Sequence, residues 1–390
     1  MKKRWIFMTL SLLLVTNLLT FYFSKKDSVF SNSLTGKQAI KMEYLKEFIK
    51  KNYLREVDEG KFYEGQLKGI VASLGDPYSE YYSKEEMQEL MDFTSASFYG
   101  VGIVLSPGED NRITVVSAIK GSPADQAGLS AGDKIIKING KDFMGDQLTK
   151  AVEEIKGKEN TKVQIQVLKS DSNKLEDYQL ERKKISVDTV ISKKLDQDIG
   201  YIGITQFSDH TSKEFDQHLN KLQKQGIKGL ILDLRGNPGG YMDAATAIAD
   251  TLLPQGTIVT AKNRAGKLVE NVQSDNRALN LPMVVVMNKG SASASEILAG
   301  ALKDHKKATL VGETSYGKGV IQIVKTFPKG DGLKLTVAEY FTPNGVSIDK
   351  KGIQPDVQIK LPENIKGIGL DYLETDSQLN KAREILKDKI

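Results

Sequence analysis

Met283-Val-Val-Val-Met-Asn-Lys-Gly290-Ser-Ala-Ser293-Ala-Ser-Glu-Ile-Leu-Ala-Gly300-Ala-Leu-Lys-Asp304 reads as a strand, Met283–Met287, a tight turn, and a helix, Ala294–Asp304. The pattern repeats upstream. Gly200–Ile204 and Leu230–Leu234 read as buried strands, and Ser212–Gln225 and Ala244–Leu253 as helices. Alternating strands and helices predict a layered α/β domain over residues 186–361. A serine in the turn before Ala294–Asp304 lies at a helix N-terminus. Backbone N–H groups and the helix dipole there favour developing negative charge, which suits a nucleophile and an oxyanion hole. The same Ser-Ala-Ser-Ala-Ser run is also a good N-cap, and Ser291 or Ser295 can serve that role.

Composition limits what can activate such a serine. The chain has 390 residues, 39 % hydrophobic and 27 % charged, with a net charge of +5, as expected of a folded protein. No long basic block or Arg/aromatic stripe points to nucleic acid. There is no cysteine, which removes thiolate nucleophiles, disulfides and Cys-based zinc sites. The three histidines, His210, His218 and His305, form no metal-ligand pattern. His305 lies 12 residues beyond Ser293 on the same helix, about 18 Å along its axis, out of reach. His210 and His218 have no evident orienting partner.

A lysine remains. It is a base only when neutral, so its pKa must fall from about 10.4 toward 7–8, roughly 4 kcal/mol of destabilisation of the ammonium. Burial supplies this. Lys318 is flanked by Gly317 and Gly319 and followed by an apolar strand, in which Lys318, Val320 and Gln322 should share one face. Gln322 is then placed to hydrogen-bond the amine. The competing reading is a surface lysine at a strand start. A third element, Asp233-Leu-Arg235-Gly-Asn237-Pro-Gly239-Gly240, leads from a buried strand through a glycine-rich turn to a helix. Such a turn presents backbone N–H groups to an oxyanion, here Gly239 and Gly240 together with Ala294. As a phosphate loop it fails, since no Gly-Lys-Ser/Thr follows.

The N-terminal third has other roles. Trp5 to Phe23 are 19 residues without a charge, preceded by Lys2, Lys3 and Arg4. As a helix they span about 28 Å, the thickness of a bilayer core. The positive flank predicts a single-pass anchor, residues 1–25, with the rest of the chain extracytoplasmic. A cleaved signal peptide is the alternative, although the bulky exit lacks a small-residue cleavage site. Residues 26–95 read as a linker and a helical module. Its third helix is announced by Ser83 as N-cap with Glu86 three residues on. Residues 96–185 carry short β-rich runs and one helix, Gln147–Lys156.

Within that β-rich module, Tyr99-Gly100-Val101-Gly102 places two glycines ahead of a strand. The block Gly121-Ser-Pro-Ala-Asp-Gln-Ala-Gly128-Leu-Ser-Ala-Gly132-Asp-Lys-Ile-Ile-Lys-Ile-Asn139-Gly140 ends in a strong turn dipeptide. Converging amides suit a terminal carboxylate, and the next strand can accept a peptide as an added strand. A hairpin whose glycines only turn the chain is the plain alternative. These residues resemble a PDZ domain of the bacterial type. That resemblance implies binding of a substrate C-terminus at Tyr99, Gly100, Val101 and Gly102, between the strand and the helix carrying Leu148 and Val152.

Taken in order, Leu74-Gly-Asp-Pro-Tyr-Ser79, the PDZ-like block, Asp233–Gly240, Gly290-Ser-Ala-Ser-Ala-Ser-Glu296 and Gly312-Glu-Thr-Ser-Tyr-Gly-Lys-Gly319 resemble the C-terminal processing peptidases, or tail-specific proteases. The resemblance implies a ClpP- or crotonase-like α/β protease core. It also implies Ser293 as nucleophile with Lys318 as base, Gln322 as a third member, and no metal or cofactor. Asp304 matches an acidic position of some relatives and reads as structural. The resemblance further implies protein or peptide substrates with exposed, apolar C-termini, and pairing of two subunits through terminal helices, those of the C-terminal tail 362–390 among them. Two rival functions stay open: a membrane-tethered PDZ adaptor with an inactive core, and a crotonase-type acyl-CoA enzyme.

Overall fold

Two layers of apolar contacts build the α/β half of the chain in this computed structural model, which describes residues 36–275, 278–362 and 365–390. Among the described residues, six strands form one sheet. Their order is Val190–Leu195, Ile199–Ile204, Gly229–Asp233, Met283–Met287, Ala308–Gly312 and Val357–Gln358. Every neighbouring pair is parallel except the first. The strand Met283–Met287 shows how side-chain alternation builds both layers. Met283, Val285 and Met287 face the helices Thr211–Lys224, Met242–Leu252 and Ala294–Asp304, through Phe215, Ile248 and Leu298. Val284 and Val286 face the opposite side, where Leu379, Ala382 and Leu386 of the helix Ser377–Lys387 cover them.

That second layer corrects the expectation of a separate tail over residues 362–390. The last helix belongs to the core: Leu379, Ala382 and Leu386 are fully buried against the chain's own sheet. Burying each leucine is worth about 1.5–3 kcal/mol, and the helix's apolar face is therefore not available for pairing subunits.

The boundary of the N-terminal module also moves. The chain divides into a unit ending at Ser73 and a unit Leu74–Ile390. In the first, helices Gly36–Asn52 and Glu59–Ala72 are described, the second capped by Asp58. Residues from Leu74 onward join the larger unit because Glu80–Tyr82 pairs antiparallel with Gly332–Lys334. The helix Lys84–Thr94 starts at the expected capping box, with Glu86 N–H donating to Ser83 Oγ at 3.2 Å and Ser83 N–H to Glu86 Oε2 at 2.8 Å. A second, antiparallel sheet went unread in the sequence. It comprises Glu80–Tyr82, Gly332–Phe341, Gly256–Asn263, Leu268–Ser274 and Val320–Thr326. The expected membrane segment, residues 1–25, lies outside the described residues, and among those described no helix is long and apolar enough to cross a membrane.

The PDZ-like module is a sheet ordered Ile103–Pro107, Ile113–Ala118, Lys134–Ile138, Lys162–Leu168 and Leu175–Glu181. Its core holds Ile113, Ile135, Ile165 and Ala151. The strand Ile103–Pro107 lies at the edge of this sheet, beside the helix Leu148–Ile155.

Candidate active site

Three serines compete for one role, and their hydroxyls separate them. Ser291 Oγ donates to Leu234 O at 2.8 Å, and Ser295 Oγ donates to Asn237 O at 3.0 Å; both residues are buried. These two side chains stitch the turn to the glycine-rich loop. Ser293 is partly exposed, and its hydroxyl makes no helix-capping bond. Its backbone, at φ 54° and ψ −114°, lies outside the ordinary regions for a side-chain-bearing residue. Such a conformation costs about 1–3 kcal/mol and persists only where the surroundings enforce it. Ser291 and Ser295, the two expected capping candidates, are structural ties of the turn, and Ser293 occupies the N-cap position of Ala294–Asp304.

What enforces that conformation is Glu296. Its fully buried carboxylate accepts from Ser293 N–H at 2.8 Å, Lys318 N–H at 2.9 Å, Gly317 N–H at 2.7 Å and Ser315 Oγ at 2.5 Å. One side chain thus gathers the backbone of the proposed nucleophile and of the proposed base. Burial pushes its pKa up, against the opposing pull of these four hydrogen bonds. In the sequence Glu296 stands only as the end of a motif.

Lys318 is half-buried. Burial, with the charge of Lys334, holds its pKa below the ordinary lysine value, and Asp76 and Glu296 act in the opposite sense. Its Nζ lies 5.1 Å from the centre of the Tyr78 ring. No hydrogen bond joins Lys318 Nζ to Ser293 Oγ or to Gln322 among the described residues. Gln322 Nε2 donates instead to Val320 O at 3.2 Å and Thr336 Oγ1 at 3.3 Å. The expectation of a direct Gln322–Lys318 bond is corrected. The period-two argument assumed an uninterrupted strand from Lys318, whereas the strand begins at Val320 and its pairing shifts register between Ile321 and Gln322. The fully buried Tyr340 is a further neighbour that sequence reading missed. Its hydroxyl donates to Lys318 O and hydrogen-bonds the Ser293 side chain.

The glycine-rich turn abuts the serine. A Cβ on Gly239, whose φ is +105°, would lie 2.8 Å from Ser293 Cβ and 3.1 Å from Ala294 N. Only glycine allows that approach. The Gly239 N–H, however, donates to Asn237 Oδ1 at 2.9 Å. The N–H groups of Gly240 and Ala294 have no acceptor among the described residues, so the free donors here are these two, not Gly239. The turn is held from below by Arg235, whose buried guanidinium reaches Asp233 at 2.6 Å and Asp376 at 2.7 Å. Asp376 also caps the last helix through Leu379 N–H at 3.0 Å, so the C-terminal segment braces the active-site loop.

The histidines are engaged elsewhere: His305 Nε2 with Thr257 O, His218 with Ser192, and His210 with Asp209. Asp304 accepts from Asn344 N–H at 2.9 Å, in keeping with a structural role.

In the PDZ-like module, Val101 and Gly102 follow the short strand Ser97–Gly100, and among the described residues their carbonyls accept from Ala124 and Ile119 while their N–H groups have no backbone acceptor. Val101 is fully buried. Gly102, at φ +77°, packs so tightly that a Cβ would sit 2.3 Å from Ser122 Cβ. Leu148 and Val152 are half-buried on the neighbouring helix. Tyr99 and Gly100 belong to the short strand, which pairs with Lys183–Ser186.

Comparison with known proteins agrees with this architecture. Residues 198–359 match peptidase family S41, residues 90–168 the PDZ domain, and residues 20–86 the activating protease CtpB N-terminal domain. The chain is 38% identical over 374 residues to the carboxy-terminal processing protease CtpA of Bacillus subtilis, covering 95% of this chain and 79% of that protein. It is also 38% identical over 339 residues to the carboxy-terminal processing protease CtpB of the same organism, covering 85% and 70%. Among solved structures it resembles a photosystem II D1 C-terminal processing protease at 30% identity and a TM-score of 0.49, covering 83% of this chain and 89% of that one.

Proposed function

We infer, for a chain that belongs to peptidase family S41 as a carboxy-terminal processing serine protease with a PDZ domain, that Ser293 and Lys318 perform the peptide cleavage. The observation that supports this reading is the Glu296 carboxylate, which joins Ser293 N–H and Lys318 N–H within 2.9 Å. Neutral Lys318 accepts the Ser293 hydroxyl proton as Oγ attacks the peptide carbonyl. The Ala294 and Gly240 N–H groups face the oxyanion. The departing amine leaves with the proton carried by Lys318, and water then hydrolyses the ester. Val101 and Gly102 N–H groups receive the substrate's terminal carboxylate, and its last side chain rests on Leu148 and Val152. The substrate is a polypeptide with an exposed apolar tail. The N-terminal segment Trp5–Phe23 anchors the enzyme in the membrane with its catalytic half outside the cytoplasm. Two copies pair through the N-terminal helices, a reading supported by exposed Ile40, Tyr44, Leu45 and Phe48 on Gly36–Asn52.

Cleavage of an unfolded polypeptide bearing an apolar tail by the full chain, followed by mass spectrometry, tests this reading. Leu148→Asp is expected to raise KM for that substrate about tenfold or more, the size of one lost apolar contact plus a buried charge, with kcat little changed. An unaltered KM, or equal cleavage of a tail ending in aspartate, removes the PDZ assignment.

The pH dependence has a defined sign. The base must be neutral, so kcat/KM should rise with pH through the Lys318 pKa and level off above it. Because burial lowers that pKa, the rise should fall below the ordinary lysine value of about 10.4. A profile still climbing at the free-lysine value, or one flat across neutral and alkaline pH, excludes Lys318 as base.

A further inference from the structure

Beside Lys318 lies a short turn that no step above uses. Asp76 Oδ1 accepts from Tyr78 N–H at 3.1 Å, and Asp76 Oδ2 accepts from Ser79 Oγ at 2.5 Å. Ser79, itself buried, accepts in turn from Thr336 N–H at 3.0 Å. The Thr336 side chain also hydrogen-bonds Asp76, and its Oγ1 is the acceptor for Gln322 Nε2 at 3.3 Å. Immediately beyond the turn, Glu80 pairs with Lys334 in the antiparallel sheet. The turn is thus clamped to the strand Gly332–Phe341 and presents the Tyr78 ring to Lys318 Nζ at 5.1 Å.

We propose that the Gly75–Ser79 turn is a positioning element of the peptidase site, in which the Tyr78 ring seats the Lys318 amine and Asp76 lends it a compensating negative charge. The proposal rests on Lys318 being the base. It gives Gln322 an indirect role, in which Gln322 holds Thr336, Thr336 holds Asp76, and Asp76 acts on Lys318 through its field. Several charged and titratable groups act around this amine. Asp76 and Tyr78 come from the turn, Lys334 from the strand Gly332–Phe341, and Glu296 from the helix Ala294–Asp304, while Tyr316 hydrogen-bonds Tyr78. Burial opposes ionisation of Asp76, yet the hydrogen bonds from Ser79, Thr336 and Tyr78 outweigh it and hold its carboxyl below the usual range. The anionic form of Asp76 is therefore the favoured one. The ring face of Tyr78 favours the ammonium that forms when Ser293 gives up its proton. Lys334 opposes it, and Asp76 offsets Lys334.

The test is the pH profile of kcat/KM for the full chain on a fixed peptide substrate. Asp76→Asn removes a negative charge, so the ammonium is less favoured and the rising limb should move to lower pH by roughly half a unit or more. Lys334→Met removes a positive charge and should move it to higher pH. Tyr78→Leu should lower kcat about tenfold with KM unchanged, which corresponds to about 1.4 kcal/mol and lies within the range of a partly desolvated cation–π contact. A folded Asp76→Asn enzyme that loses activity with its limb in place shows a purely structural turn and overturns the proposal. If Asp76→Asn does not fold, Lys334→Met and Tyr78→Leu decide, and a Tyr78→Leu enzyme with wild-type kcat and limb overturns it equally. Lys318→Met separates this from the underlying reading. If that variant keeps its activity, the base assignment fails; if it is inactive while the Asp76→Asn limb is unmoved, only the present proposal fails.

Discussion

Ser293→Ala and Lys318→Met are each expected to lower kcat/KM about ten-thousand-fold or more while leaving the fold intact. A general base contributes up to about 10⁴ in rate, and members of one catalytic unit lose about as much singly as together. The structure explains why the loss should be chemical. Alanine keeps the Cβ of Ser293 and removes an oxygen whose hydrogen bond is to Tyr340, so the enforced backbone at φ 54° is unchanged. Methionine nearly matches lysine in length and is at ease in the half-buried site that destabilises an ammonium. Thermal melting of both variants should therefore stay near wild type, and Lys318→Met is expected to be neutral or slightly stabilising. Single-turnover mass spectrometry separates the two: Ser293→Ala should form no acyl-enzyme at all, Lys318→Met only a slow trace. Arginine at 318 should not restore activity, because guanidinium does not lose its proton at working pH. A Lys318→Met enzyme with more than a few per cent of normal activity would sink the assignment.

The strand–turn–helix at Met283–Asp304 was legible to the residue, because an unbroken apolar run and a serine-rich N-terminus leave little choice. Family membership was legible for the same reason, since it rests on short local motifs. Contacts between segments distant in sequence were not. The antiparallel sheet was missed because Gly332–Phe341 is mostly half-buried and shows no clean alternation. Gln322 was placed on the right strand and given the wrong partner, because a register shift with the next strand is invisible in one strand's sequence. The tail helix read as an appendage because nothing local says that Asp376 will meet Arg235, 141 residues earlier. Gly239 was expected to offer its N–H to an oxyanion, but that N–H is satisfied within its own turn by Asn237 Oδ1, a local bond that the glycine-rich sequence does not announce.

Glu296 illustrates that limit most sharply, and it carries the largest expected effect on stability and activity together. As sequence it is an acidic residue in the first turn of a helix, worth a fraction of a kcal/mol through the dipole. In the structure its carboxylate is fully buried and satisfies four donors from two segments, Ser293 and the loop 315–318. Glu296→Ala strands the amides of Ser293, Gly317 and Lys318 and the Ser315 hydroxyl. At about 1–3 kcal/mol for each buried donor left unpaired, partly relieved by entering water, the expected destabilisation is about 3–5 kcal/mol by chemical denaturation. Proteolysis should fall at least about a thousand-fold, because the Ser293 backbone loses the acceptor that holds φ positive and the Lys318 loop loses its tie to it. Glu296→Gln tells positioning from mere stability. It fills the same volume but must turn an NH₂ group toward one set of donors, so it should fold with a smaller penalty and still lose kcat about a hundred-fold at unchanged KM. A Glu296→Gln enzyme with normal kcat would mean that Ser293 and Lys318 keep their geometry without the charge. The strained serine would then have to be held by its packing on Gly239, and the Lys318 loop by the bonds of its backbone to Tyr340 and Lys350, which fix each segment but do not tie one to the other.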